Sequence, residues 1–119
     1  MPEAPIYDPC VTVTTDGMHP DVSELRLAKV LAALGDEGRL TTVQALARLG
    51  ESDCTRLQAD AGLTMSRSTF SHHQKVLREA GILRARVQGS RRFLTLRRDD
   101  LNARFPGLLD AILASPASR

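Results

Sequence analysis

Between Ser66 and Gly81 the sequence reads SRSTFSHHQKVLREAG, a run with short hydroxyl side chains, arginine and two adjacent histidines. Such a run could bind a nucleic acid, hold a metal ion or simply form a packed helix. Ser66 is a good helix N-cap, and Gly81 lies where a helix of this length would end in a left-handed glycine. Helical spacing places five side chains on the face that would pack on a core: Phe70, His73, Val76, Leu77 and Ala80.

The polar residues of this stretch lie toward the start of the predicted helix. When a helix occupies the major groove of DNA, the residues near its N-terminus reach the base edges. A helix N-terminus also favours an anion such as phosphate, and Arg67 could bind either guanine or phosphate. The pattern predicts a DNA-contacting set at this end of the helix: Ser66, Arg67, Ser68, Thr69, Ser71 and His72.

The adjacent histidines are poorly placed to share a metal ion. Neighbouring helix positions point about 100° apart, whereas two ligands on one helix need a spacing of three or four residues. We expect His72 to face a phosphate or a base, and His73 to be buried or half-buried beside Phe70 and Leu77. No metal ligands and no cofactor are predicted.

The charge distribution supports a nucleic-acid-binding surface. The chain as a whole has a formal charge of +2, but residues 64–98 carry nine basic residues against Glu79 alone, a net +8. The rest of the chain is therefore at −6. A surplus confined to one third of the sequence is typical of a face that binds a polyanion, although a solvated basic surface would look the same.

The elements that must position these residues are mostly helical. In 119 residues there are three Phe, one Tyr and no Trp, so the core depends on Leu, Ala and Val, which suits packed helices. Apolar periodicity predicts a first helix over about 21–34 and a second with a stripe from Leu40 to Leu49. A third helix is expected over about 52–61, and Gly62 to Met65 separate it from the helix that Ser66 begins, as in a helix-turn-helix.

After Gly81 the sequence alternates in the manner of two β-strands joined at Gln88-Gly89-Ser90. Arg84, Arg86, Arg91 and Arg92 would lie on or near the exposed parts of this hairpin. A last helix is expected over about 99–114, interrupted by Pro106. The fold class is thus mainly α with a β-hairpin wing, in the order α-α-α-α-β-β-α, which is a winged helix-turn-helix.

The predicted domain organisation has three parts. Residues 1–20 contain four of the six prolines and no helical period, so we expect a flexible N-terminal arm. Residues 21–114 would form the DNA-binding and dimerisation domain, and 115–119 a short tail. The sequence has neither a secretory signal nor an apolar run of about 20 residues, so we expect a cytoplasmic protein.

The run STFSHHQKVLREAGI, followed by RARVQGSRRFLTL, resembles the ArsR family of small winged-helix repressors, and VLAALGDEGRLTTVQAL is similar to the segment that leads into that family's second helix. The resemblance covers about 30–96. It implies a homodimer, formed by the first and last helices, that binds an inverted-repeat operator in double-stranded DNA. Gln74 departs from the family pattern, which usually has Leu or Phe there, so this position could loosen the core or be exposed.

The resemblance also raises the question of what signal is sensed. The last predicted helix has no histidine, which disfavours the family's zinc site there, and Cys54 has no second thiol beside it as a Cys-x-Cys site requires. In some family members the N-terminal arm of the second subunit supplies a cysteine. Cys10 and Cys54 could therefore form a redox pair or bind a thiophilic metal or metalloid, supplemented by His19, or both could be ordinary thiols.

The sequence and the resemblance together predict a homodimeric, sequence-specific DNA-binding regulator; a repressor is favoured, and activation stays open because it depends on where the operator lies. Lys75 and the wing residues Arg86, Arg91 and Arg92 would add contacts to phosphate or to the minor groove. A thiol-responsive repressor using Cys54 and Cys10 is one alternative, and a winged helix that binds proteins without an operator is another. An enzyme is disfavoured, because Cys54 and the histidines have no orienting third residue and no phosphate-binding loop is present.

Overall fold

The computed structural model describes residues 19–115. Its helices and strands follow one another in the order predicted, with three additions: a 3-10 turn, a short strand and a second C-terminal helix. The elements are a 3-10 turn at Val22–Glu24, α1 (Leu27–Ala33), α2 (Glu37–Leu49), β1 (Ser52–Asp53), α3 (Cys54–Asp60), α4 (Arg67–Glu79), β2 (Leu83–Gln88), β3 (Arg91–Leu96), α5 (Arg98–Arg104) and α6 (Leu108–Ala114). The mainly helical fold with a β-hairpin wing is confirmed as a winged helix-turn-helix.

The segment before α1 is not the continuous helix that the periodicity predicted. Asp21 and Glu24 form a capping box, in which the Asp21 amide donates to Glu24 Oε1 at 2.7 Å and the Ser23 amide donates to Asp21 Oδ2 at 3.1 Å. Leu25 then adopts an extended backbone and buries its side chain, leaving it 1% exposed. The prediction of one helix from Asp21 was wrong because burial of Leu25 breaks it.

The third predicted helix also starts later than expected. Ser52 and Asp53 form a short third strand that pairs with β3, Ser52 opposite Leu94 and Asp53 opposite Phe93. Asp53 then caps α3, since its carboxylate accepts a hydrogen bond from the Thr55 amide at 2.7 Å. The helix therefore begins at Cys54, and β1 fastens its start to the wing.

Helix α4 has the caps that the sequence predicted and most of the predicted buried face, but Val76 is only half-buried and Gln74 is buried. Ser66 Oγ accepts a hydrogen bond from the Thr69 amide at 3.1 Å, and Ala80 is followed by Gly81 with a φ of 85°. The buried side chains of α4 lie at helical spacing: Phe70, His73, Gln74 and Leu77. Gln74 is thus buried, which excludes the exposed position that its polarity had left open.

The sheet has the antiparallel order β1-β3-β2, so β3 is central. In the wing, Val87 lies opposite Arg92 and Gln88 opposite Arg91, which leaves Gly89 and Ser90 as the turn. Leu83 and Leu94 are fully buried and join the sheet to the helical core.

The predicted last helix is interrupted near Pro106, as expected, and it forms two separate helices. Helix α5 ends before Phe105, and Gly107, with a φ of 87°, precedes α6. Leu101 of α5 and Leu109 of α6 are both buried in the same core.

The predicted arm and tail lie almost wholly outside the described residues. At the inner end of the arm, His19 is buried, and its Nε2 accepts a hydrogen bond from the Ala85 amide at 3.1 Å. It therefore satisfies a backbone group of β2, which is an edge strand. None of the helices between residues 19 and 115 is long and apolar enough to cross a membrane.

The turn after α4 gives a test of the fold. A Cβ on Gly81 would lie 1.9 Å from Leu25 Cδ2, and the positive φ disfavours any other residue. Gly81→Ala should lower the free energy of unfolding by about 3 kcal/mol, combining left-handed strain with overpacking of the core. Urea denaturation followed by circular dichroism measures this loss.

Gly89→Ala is the matched control for this prediction. Gly89 also has a positive φ, 63°, but a Cβ there would meet no atom within 4 Å. It should therefore cost only the backbone strain, about 1 kcal/mol. Equal losses for the two variants would show that the contact with Leu25 does not matter.

Candidate nucleic-acid interface

Helix α4 divides into a buried stripe and a polar exposed side. All seven of its predicted DNA-contacting residues, counting the cap and Lys75, are exposed: Ser66, Arg67, Ser68, Thr69, Ser71, His72 and Lys75. The structure thus places them together on the solvent side of one helix. Whether they contact DNA stays a prediction that the geometry permits.

The start of α4 is suited to an anion. Its first turn carries no acidic residue, and the helix is 13 residues long, so its positive end is not neutralised locally. Ser66 Oγ lies 3.2 Å from Ser68 Oγ and 3.0 Å from Thr69 Oγ1. This hydroxyl cluster is small enough to let a phosphate approach the backbone.

Two wing arginines are paired with acidic residues that precede α3. Arg86 donates from Nε and Nη2 to Glu51, at 3.2 and 3.1 Å, and Arg91 Nε donates to Asp53 Oδ2 at 2.6 Å. These hydrogen bonds lower the pKa values of Glu51 and of Asp53, each chiefly through its arginine. Both guanidinium groups also lie near the Phe93 ring, at 4.7 and 5.4 Å from its centroid.

The two carboxylates were missed by the sequence reading of the basic segment. Glu51 and Asp53 stand outside residues 64–98, and only the pairing of β1 with β3 brings them beside the wing. The +8 of the segment therefore overstates the positive potential at the wing. Exposed ion pairs are weak, so phosphate can still displace them.

Three other arginines of the segment contact polar side chains of the protein. Arg97 is buried and donates from Nε and Nη2 to Asp100 Oδ2, at 2.9 Å each, and Arg84 Nη2 lies 3.7 Å from the same oxygen. Arg92 Nη1 donates to Gln74 Oε1 of α4 at 2.7 Å. Strand alternation explains this placement, because Arg92 shares a face of β3 with the buried Leu94.

The two histidines differ in burial, and His73 is buried as predicted. Their ring centroids are 6.2 Å apart, with His72 exposed and His73 8% exposed. Because arginine can only donate, Arg39 Nη1 donates to His73 Nδ1 at 3.1 Å, which leaves the proton of the neutral ring on Nε2. That atom lies 3.6 Å from Asp36 Oδ2, at the start of α2.

Cys54 is half-buried, and its Sγ donates to Gln74 Oε1 at 3.5 Å. Cys10 lies outside the described residues, so the pairing of the two thiols stays a prediction. His19, the third possible member of that set, is instead hydrogen-bonded to the Ala85 amide. Across residues 19–115, no three His, Cys, Asp or Glu side chains come together as metal ligands would.

A winged helix whose second helix-turn-helix helix has an exposed polar side belongs to the class of helix-turn-helix proteins, and comparison with known proteins agrees. No family model matches the chain. It is 31% identical over 86 residues to YceK, an uncharacterized HTH-type transcriptional regulator of Bacillus subtilis (strain 168), a match covering 71% of this chain and 84% of that protein. The chain therefore belongs to the HTH-type transcriptional regulators.

A solved structure supports the same conclusion. A crystal structure of a possible transcriptional regulatory protein from Mycobacterium bovis, fragment 1–100, superposes with a TM-score of 0.56 and 26% sequence identity. The match covers 75% of this chain and 91% of that one.

The setting of His73 predicts a pH dependence of stability. Burial lowers its pKa from the ordinary 6.5, and the attraction of Asp36 only partly opposes this. The unfolded chain therefore binds the proton more readily, so stability is complete above about pH 6.5 and falls as the pH drops toward the folded-state pKa. Urea unfolding between pH 5 and 8 should show this fall.

His73→Asn removes the titrating ring but keeps a polar side chain, so it is the matched variant. Its unfolding free energy should change less between pH 7 and 5.5 than that of the unaltered protein. If both proteins lose the same stability over that interval, the pH dependence arises elsewhere.

Proposed function

We propose that this protein is a homodimeric, sequence-specific DNA-binding repressor of the ArsR type that binds an inverted-repeat operator. The observation that carries the proposal is the exposed polar side of α4. It lies on the opposite side of the helix from the buried residues Phe70, His73, Gln74 and Leu77, and next to the wing. Resemblance to the ArsR family favours repression and the inverted repeat. Its site of action would be the cytoplasm, with the DNA.

In this proposal α4 enters the major groove with its first turns toward the base edges. Arg67 binds a guanine, and the hydroxyl residues, His72 and Lys75 contact phosphates or base edges. Arg86 and Arg91 leave Glu51 and Asp53 for the DNA backbone or minor groove. Replacing these carboxylate partners by DNA phosphates would increase the affinity and its salt dependence more than the preference for a particular DNA sequence.

The second copy would cover α1. Among the described residues, the exposed large hydrophobic side chains are Leu27, at 46%, and Leu31, at 49%, one turn apart on this helix. Three half-buried side chains of α6 are also apolar: Leu108, Ile112 and Leu113. A two-fold interface built on the first and last helices would bury them, and it would present two copies of α4 to two half-sites.

Replacing Arg67 tests the proposed base contact. Arg67→Ala should weaken binding to the selected operator by about 1–3 kcal/mol and relax the preference for guanine at one position of each half-site. Fluorescence anisotropy with the protein's own upstream DNA, and with duplexes altered at single positions, measures both effects.

Arg48→Ala is the control, since Arg48 is an exposed arginine at the end of α2. It should leave the affinity nearly unchanged. An equal loss for every duplex with Arg67→Ala would instead make Arg67 a phosphate contact. A protein that binds no duplex at low salt would contradict the proposed function and favour a protein-binding module.

A charge on the exposed face of α1 tests the proposed dimer. Leu31→Glu should raise the dimer dissociation constant by at least about tenfold, because association would bury one carboxylate from each copy. Sedimentation velocity over a range of concentrations measures this change. Lys29→Glu places a carboxylate on another side of the same helix and should have less effect; equal effects would contradict the assigned interface.

A thiol-responsive repressor is the second candidate function, favoured by the hydrogen bond from Cys54 Sγ to a glutamine of α4. The test is the same DNA titration run fully reduced, after mild oxidation and with arsenite, and repeated with Cys54→Ala. Weakening that depends on Cys54 would support sensing and make Cys10 the next residue to replace. Coincident curves would assign both thiols no sensory role.

A further inference from the structure

Three elements of the fold meet at the side chain of Gln74. This residue of α4 is 3% exposed, so its amide group has been removed from water. Its Oε1 accepts hydrogen bonds from Arg92 Nη1 of β3, at 2.7 Å, and from Cys54 Sγ of α3, at 3.5 Å. One buried oxygen thus joins both helices of the helix-turn-helix to the wing.

The contact with Arg92 is the stronger of the two. A hydrogen bond from a charged guanidinium is about twice as strong as one between neutral groups, and a thiol is a weak donor. A buried amide oxygen that lost its donor would incur a desolvation penalty. Arg92 therefore stabilises the buried amide of Gln74, and Gln74 holds the half-buried Arg92 in place.

A neighbouring arginine makes this acceptor more important. Arg78 lies one turn after Gln74 on α4, and its Nε is buried with no hydrogen-bond partner within the described part of the chain. Burial lowers the pKa of Arg78, and the nearby positive charge of Arg92 lowers it further because like charges repel. The oxygen of Gln74 holds Arg92 near α4 against this repulsion.

Arg92 lies near the tip of the wing, so its hydrogen bond to Gln74 restrains the outer part of the hairpin. Arg92 lies two residues after the Gly89-Ser90 turn and pairs with Val87 across the hairpin. Arg91, on the other face of β3, is bound to Asp53. Polar contacts on both faces of β3 therefore hold the outer part of the wing, whereas the fully buried Leu94 holds its base.

We propose that Gln74 is a positioning residue that fixes the wing relative to the recognition helix α4 through Arg92. In this role Arg92 supports DNA binding by holding in place the hairpin that carries Arg86 and Arg91, instead of contacting DNA itself as the sequence suggested. The DNA part of this inference rests on the proposed function. The structural part, an ordered wing, is independent of any DNA.

The first experiment measures wing order in the full chain without DNA. Gln74→Leu introduces an apolar side chain of similar size and so removes the acceptor, whereas Gln74→Glu keeps an acceptor oxygen. Gln74→Leu should raise amide hydrogen exchange and trypsin cleavage at residues 86–92 by about tenfold, as expected for the loss of a charge-assisted hydrogen bond. Gln74→Glu should restore protection, and exchange in α2 should be unaffected in both.

Arg92→Met supplies an independent variant should Gln74→Leu fail to fold. It should loosen the same wing residues, and combining it with Gln74→Leu should add little, because both remove one interaction. Unchanged wing protection in both single variants would overturn the proposal. Equal loosening of α2 and the wing would also overturn it, since Gln74 would then be an ordinary core residue.

The second experiment adds a DNA duplex of the protein's own upstream sequence. Gln74→Leu should weaken binding by about tenfold and reduce the salt dependence, while Gln74→Glu should recover both. A looser wing with undiminished DNA affinity would overturn the role in DNA binding. If the unaltered protein binds no duplex, the proposed function fails, and the wing measurements still decide whether Gln74 positions the hairpin.

Discussion

Helix α4 is held from one side only, and this constraint governs the rest of the structure. Phe70 and Leu77 are buried and anchor the helix in the core. The opposite side must stay uncovered if seven polar residues from Ser66 to Lys75 are to remain in solvent. The core therefore packs against the buried side of α4, and the wing contacts the edge of that side through Gln74 and Arg92. A recognition helix needs this combination of rigid support and open access.

The middle of the buried side is polar rather than apolar. His73 meets Arg39 and Asp36 of the α2 start, while Gln74 meets Arg92 of the wing and Cys54 of α3. Hydrogen bonds are directional. The contacts of His73 and Gln74 therefore restrict the rotation of α4 about its axis more than apolar packing alone would. The same contacts connect α4 to the elements on either side of it. The orientation of the exposed side of α4 thus depends on polar contacts made by two buried residues, His73 and Gln74.

The parts of this arrangement that depend on local chemistry could be predicted from the sequence. The Ser66 cap, the helical spacing of Phe70 and Leu77, and the glycine at position 81 each act within a few residues, and the structure has them as expected. The two-residue strand β1 could not be predicted, because its pairing with β3 joins positions some forty residues apart. Its consequence, the binding of Arg86 and Arg91 by Glu51 and Asp53, was hidden for the same reason. The sequence identified Gln74 as a departure from the usual Leu or Phe, but only the hydrogen bond from Arg92 explains why a polar side chain is buried there.

The proposed DNA-binding function depends on α4 being the surface that contacts DNA. Amide chemical-shift mapping by NMR, during addition of a duplex from the protein's own upstream region, tests this most directly. We expect the largest changes between Ser66 and Lys75, with a second group around Arg86 and Arg91 and little change in α2. Changes confined to α1 and α6, or none at low salt, would contradict the account.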